Sequence, residues 1–323
     1  MAVNLLMGVG QMLSNRRNIL KFLAGKMCLF RNGRDVNVLE VHVMELDFTK
    51  DTLVLVAHGS GANAGSSATV RLQAEVLRRR GGFLQVLTGF KMEEPTLGEV
   101  LSLALGVRIF IVPFSVSEGF FTEEVVPQEM SLIENGVICR RQSRGGQTVY
   151  YSTPVGIHPQ MTEVLLARAA GVVARNPFPR APKLSEMALF IAGHGTKSNE
   201  NSRQSIDRQA DIIRARGIYR EVHSIFMEED PTIASCYGLS EARNFVVVPF
   251  FMSDGLHVVE DIPVMLGEAE RVVQARLKAG QPTWRNPTEK KGRLVWYADS
   301  VGREPILADI ILEAVRDVSK LTA

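Results

Sequence analysis

Residues 58–127 overlay residues 194–263 at a constant offset of 136 with no net insertion. The chain therefore carries one segment twice, and a duplicated domain follows from it. AHGS at 57–60 faces GHGT at 193–196, FKMEEPT at 90–96 faces FMEEDPT at 226–232, and VPFSVSEGFF at 112–121 faces VPFFMSDGLH at 248–257. The histidine survives in both copies, as His58 and His194. At two other positions the copies part: Met92 stands opposite Glu228, and Phe121 opposite His257. The second copy thus holds His194, Glu228 and His257, while the first holds His58 alone. One chemically equipped lobe of two predicts a single site in a cleft between them.

Short β-rich runs at 52–57, 84–88, 108–114 and 148–151 are separated by helix-length segments with apolar spacing near 3.6, and the second copy repeats them at 187–192, 221–226, 244–250 and 294–298. That alternation predicts an α/β fold with a parallel sheet in each lobe. The last strand and helix are duplicated as well, since YYSTPVGIHPQ at 150–160 resembles WYADSVGREPI at 296–306, now at an offset of 146. The extra residues fall near 281–293, a polar Pro- and Gly-bearing stretch expected to be an exposed loop. Three prolines at 174–186 mark the linker, because proline interrupts a helix. The expected domains are a first lobe over 44–175 and a second over 176–323, with 1–43 an extension of uncertain role. Met44 looks like an ordinary start ahead of a first strand, and the extension lacks the charge order and cleavage site of a signal peptide.

Composition excludes several classes. With 46% apolar and 22% charged residues the chain is ordinary for a globular protein, and a net charge of +2 with dispersed Lys and Arg argues against nucleic acid as a partner. No apolar run reaches the roughly 18 residues of a membrane span. Cys28, Cys139 and Cys236 are too widely spaced for a disulfide framework or a CxxC metal motif, which fits a reducing cytoplasm. A small molecule or another copy of the chain is the expected partner.

In an open parallel sheet ligands bind beyond the carboxyl ends of the strands, which is where His58, His194, Glu228 and His257 fall. Two imidazoles and a carboxylate suit a first-row divalent ion and leave coordination positions open. Each residue has a plainer reading: a His–Gly can be a hydrogen-bonded turn, His257 can line the helix that starts there, and Glu228 sits in an acidic run with Glu229 and Asp230. The coordinated loss of two polar groups in the first lobe, with Pro95, Pro113, Phe114, Ser117 and Gly119 preserved around them, is not what a turn role predicts. The loop at 197–205, with Arg203 ahead of a helix, is a candidate anion site lining the cleft. Neither it nor GSGANAG at 59–65 has the spacing of a nucleotide-binding loop.

HGT at 194–196, FMEEDPTI at 226–233, VVVPFFMSDGLHVVEDIP at 246–263 and YYSTPVGIHP at 150–159 together resemble the sirohydrochlorin cobaltochelatase and ferrochelatase family, the class II chelatases, in a long form with internal duplication. The resemblance spans about residues 50–320. It implies two tandem flavodoxin-like lobes with a tetrapyrrole in the cleft, and a monomer whose lobes are related by a pseudo-twofold. It makes His194, His257 and Glu228 both the metal ligands and the catalytic residues, and places His58, Phe121, Met92 and Ser253 against the substrate. Glu229, Glu260 and Asp261 are weaker candidates for support behind the ligands. The implied reaction inserts Co²⁺, with Fe²⁺ close behind and Ni²⁺ also open, into sirohydrochlorin in cobalamin or siroheme biosynthesis, with no organic cofactor. Two alternatives stand beside it: a non-catalytic metal or tetrapyrrole carrier, and a phosphate-processing hydrolase using His194, which lacks the arginine that should precede such a histidine because Gly193 is there.

Overall fold

The computed structural model describes residues 47–61, 65–195 and 200–321 with their side chains and, ahead of them, the backbone of three strands, β1 Asn18–Leu23, β2 Lys26–Arg31 and β3 Arg34–Leu39. The chain divides into two units, Met1–Asp47 and Phe48–Ala323. In the first, β1, β2 and β3 pair in sequence order as an antiparallel meander. The segment read as an extension therefore contains a small sheet of its own.

The second unit contains both copies, each built on a five-stranded sheet. In the first, β4 Thr52–Ala57, β5 Gln85–Phe90, β6 Arg108–Pro113 and β10 Gln147–Tyr151 run parallel, and β9 Arg141–Arg144 closes the edge antiparallel to β10, in the order β5-β4-β6-β10-β9. Between β6 and β9 lies a two-stranded hairpin, β7 Ile133–Glu134 and β8 Val137–Ile138. Asn135 and Gly136 both have positive φ at its tip, the conformation an Asn-Gly hairpin turn requires. The second sheet repeats the topology as β12-β11-β13-β15-β14, with β11 Met187–Gly193, β12 Glu221–Phe226, β13 Asn244–Pro249 and β15 Arg293–Tyr297 parallel and β14 Thr288–Lys290 antiparallel at the edge. The expected loop at 281–293 thus contributes an edge strand, and neither sheet is wholly parallel. β4 and β11 are buried along their whole length, as central strands covered on both faces must be.

Helices of the two copies are exchanged. Helices α1 Gly65–Arg80 and α2 Leu97–Ser102 cover the first sheet, as expected of the segments that precede and follow β5. Helix α3 Met161–Arg175 belongs to the first copy by sequence, yet it packs on β13 and β15 of the second. Beside it lies α4 Glu200–Ala215. The terminal helix α5 Leu307–Val318 belongs to the second copy and packs on β6 of the first and along α1. Its buried stripe, Leu307, Ile310, Ile311, Ala314, Val315 and Val318, follows helical spacing and would face water without the other copy's sheet. Polar contacts lock the exchange: Arg80 pairs with Asp309 at 2.5 Å, Arg216 with Glu163 at 2.6 Å, and the buried Arg168 with Asp299 at 2.8 Å. The lobes expected at 44–175 and 176–323 are therefore two sheets of one interlocked body.

Candidate metal centre and cleft

Three segments carry the equipped site, each leaving the carboxyl end of a parallel strand. His194 follows β11, and Gly195 after it has φ +62°, where a Cβ would come within 2.9 Å of the Phe226 side chain. Glycine is thus required after the histidine. His58 and Gly59 (φ +69°) repeat the turn after β4. Glu228 follows β12, its backbone N–H donating to the His194 carbonyl at 3.1 Å, so the two loops are tied together. His257 opens a π-helical turn, His257–Asp261, and Phe121 opens its counterpart, Phe121–Val125. Such turns are rare and concentrate at functional sites.

Proline and tyrosine explain how each π turn is held. Pro263 and Pro127 have no N–H to give the carbonyls five residues back, Val258 and Thr122. Tyr297 and Tyr151 supply the missing donor, each hydroxyl reaching its carbonyl at 2.6 Å. Burial pushes both phenols well above the ordinary tyrosine range, so both remain donors.

The site's polar geometry fixes tautomers. The Nδ1 of His194 lies 3.1 Å from the Gly195 carbonyl and that of His257 lies 2.6 Å from the Asp261 carboxylate. Carbonyl and carboxylate oxygens only accept, so in both rings Nδ1 is the donor and Nε2 is the nitrogen left to meet an ion. The His194 Nε2 faces the Glu228 carboxylate at 3.7 Å, and the two imidazoles stand 5.1 Å apart, nearly perpendicular. All three side chains are open to solvent to a substantial degree. Among the described residues no three His, Cys, Asp or Glu side chains are gathered tightly enough to share an ion as they stand. The arrangement is an open pair of nitrogen donors with a carboxylate alongside, not a closed cage.

Across the cleft, His58 packs against the Phe121 ring at 5.8 Å and shares a cavity of about 380 Å³ with His257, Ser253 and Leu256. Residues from both copies thus wall one space, His58 and Ser253 among them. Phe121 lies tilted beside His58 rather than lining that cavity, and Met92 is exposed. Ser60, Ser66, Gly255 and Leu256 also line it without having been singled out. Only their equivalence to residues of the other copy could have flagged them.

Of the expected anion site at 197–205, the structure bears on Arg203. Residues 197–199 lie outside the described residues, and Arg203 is committed: it pairs with Glu229 at 2.9 Å and Asp207 at 3.3 Å and lies over the Phe226 ring. The Glu229 hydrogen bond raises its pKa further, against the opposing effect of burial. Arg71 repeats the contact in the first copy, pairing with Glu93 and covering Phe90. Burial would raise the Glu93 pKa, but the Ser60 N–H, Ser67 and Arg71 together hold it below the usual carboxylate value. Of the three residues expected behind the ligands, Asp261 orients His257, whereas Glu229 pairs with Arg203 and Glu260 accepts from Gln274. No helix of the described residues is long and apolar enough to cross a membrane.

Known proteins share this architecture. The family model described as CbiX matches residues 52–172 and again 188–318. A probable sirohydrochlorin cobaltochelatase of Halobacterium salinarum is 35% identical over 277 residues, 82% of this chain and 90% of that one. A multi-domain protein of Deinococcus radiodurans, described as structurally similar to chelatases, superposes with a TM-score of 0.67 at 25% identity over 82% of this chain. The chain spans 55% of that protein's length. The structure of SirB from Bacillus subtilis with Fe³⁺ gives a TM-score of 0.58 at 17% identity, covering 84% of this chain and 96% of that one, a likeness of fold.

Proposed function

The chain belongs to the CbiX family of sirohydrochlorin chelatases, and on that premise we propose that it inserts a divalent metal into sirohydrochlorin, Co²⁺ first and Fe²⁺ close behind. The observation that carries this reading is the pair of Nδ1-protonated imidazoles, His194 and His257, 5.1 Å apart beside the Glu228 carboxylate. Two neutral nitrogens and one oxygen bind such ions without trapping them, as delivery to a second ligand demands.

In this proposal the macrocycle occupies the cleft between the sheets, and the ion leaves His194, His257 and Glu228 for the pyrrole nitrogens. Two N–H protons depart as one M²⁺ enters, so the step balances without an oxidant or a nucleotide. A nitrogen bound to metal cannot take a proton. His58 belongs to the copy that has Met92 and Phe121 in place of the other ligands, and it lines the same cavity as His257. It is the imidazole left free to accept a pyrrole proton, its Nδ1 facing the Gly59 carbonyl at 3.1 Å as in His194.

The test is anaerobic incubation of sirohydrochlorin with Co²⁺, Fe²⁺ or Ni²⁺, followed by the macrocycle's visible spectrum. Catalysed metallation that a His194→Ala, His257→Ala variant loses is the expected result, and the rates rank the metals. Metallation no faster than without protein, with the macrocycle still bound, would leave a carrier instead.

A further inference from the structure

Three apolar side chains on the segments that follow the parallel strands stand in solvent: Phe120, 68% exposed, Leu256, 54%, and Met92, 53%. Phe120 and Leu256 are equivalent under the offset of 136, and each is the residue immediately before a π turn. Leu256 lines the cavity that contains His58, a residue of the other copy, so it reaches across the cleft to the opposite lobe. Phe120 is its counterpart under the offset of 136, at the entry to the other π turn. Isolated exposed apolar residues are ordinary. A symmetry-related pair, each member at the entry to a π turn and one of them lining the cleft cavity, is not, and marks a surface kept for an apolar partner.

We propose that Phe120 and Leu256 grip the macrocycle, one from each lobe, with Phe120 laying its aromatic face against the tetrapyrrole on the metal side. The occupant follows from the proposed function, on which this inference rests. A tetrapyrrole has a flat conjugated body with carboxylates on its rim, so its body takes apolar walls while its rim stays in water. Charge does not replace this grip at the loops after β5 and β12, because Arg71 and Arg203 already hold Glu93 and Glu229. The asymmetry of the copies fits the same division. The first copy has Met92 and Phe121 where the second has Glu228 and His257.

The experiment titrates sirohydrochlorin, without metal, into the full-length protein and into Phe120→Ser, Leu256→Ser and Phe120→Trp variants, reading macrocycle fluorescence. Co²⁺ binding is measured in parallel by visible absorption. Losing the burial of one large apolar side chain should raise the macrocycle Kd about tenfold in each serine variant. Phe120→Trp should recover what Phe120→Ser loses, and Co²⁺ affinity should be the same in all four proteins. Both side chains are exposed, so an unchanged melting temperature is expected to accompany the loss. Wild-type binding with undiminished affinity in Phe120→Ser would overturn this inference alone. A wild-type protein that binds no macrocycle would overturn the proposed function and this inference with it.

Discussion

At the residue scale the two copies act as internal controls for each other. Gln73 and Gln209 are equivalent buried glutamines on α1 and α4. Thr162 donates to the Gln209 Oε1 at 2.6 Å, whereas the Gln73 Oε1 has no partner, because the residue equivalent to Thr162 is Ala308. Ala308→Thr should supply the missing donor and raise stability by about 1 kcal/mol, seen as a higher denaturant midpoint with an unchanged slope. The same comparison isolates Asp261, which has Val125 opposite it just as His257 has Phe121. A carboxylate holding the tautomer of a metal-binding imidazole matters nearly as much as the ligand. Asp261→Asn should therefore weaken Co²⁺ binding by about 10–100-fold, measured by competition with a chelator. Those coordinated differences are what single out His194, Glu228 and His257 in the sequence. The imidazole tautomers were not legible there, because a ring's proton is fixed by a partner such as the Gly195 carbonyl whose position sequence does not give.

At the element scale the π turns are built alike and used differently. Tyr297→Phe leaves the Val258 carbonyl without a donor and should cost about 1–3 kcal/mol in chemical denaturation. It should also loosen His257 and reduce Co²⁺ affinity. Tyr151→Phe makes the equivalent lesion at Thr122, in the copy without the ligand set, and should cost similar stability with Co²⁺ affinity intact. A loss of metal affinity in both variants would mean that the two turns are coupled. The parallel strands were legible because each is a short β-branched apolar run between helical periods. The edge strands β9 and β14 were not: RQSR and TEK are polar, and their pairing is stabilised by a neighbour distant from any local pattern. Arg203 escaped for a similar reason. Its guanidinium reads as free in a helix-opening loop until the Glu229 loop folds onto it.

At the scale of the whole molecule, helix exchange makes each sheet depend on the other copy. Produced alone, residues 48–180 lack the helix α5 that covers β6, and residues 181–323 lack α3 over β13 and β15. Each half exposes the apolar face its missing helix would bury, and should be unfolded or aggregated by circular dichroism and light scattering. Produced together, the halves should copurify and recover Co²⁺ binding. Independently folded halves would show that the exchanged helices contribute little to stability.

By itself the sequence determined the duplicated α/β architecture, its strands, and the inequality of the two copies at 92/228 and 121/257. Repeats and periodicities are properties of the chain read in order. Only the tertiary structure decided which sheet each last helix covers, which cation is already paired, and that His58 and His257 wall one cavity. A helix's apolar stripe specifies that it must be buried but not against what, and an ion pair such as Arg203 with Glu229 exists only when both of its segments are in place.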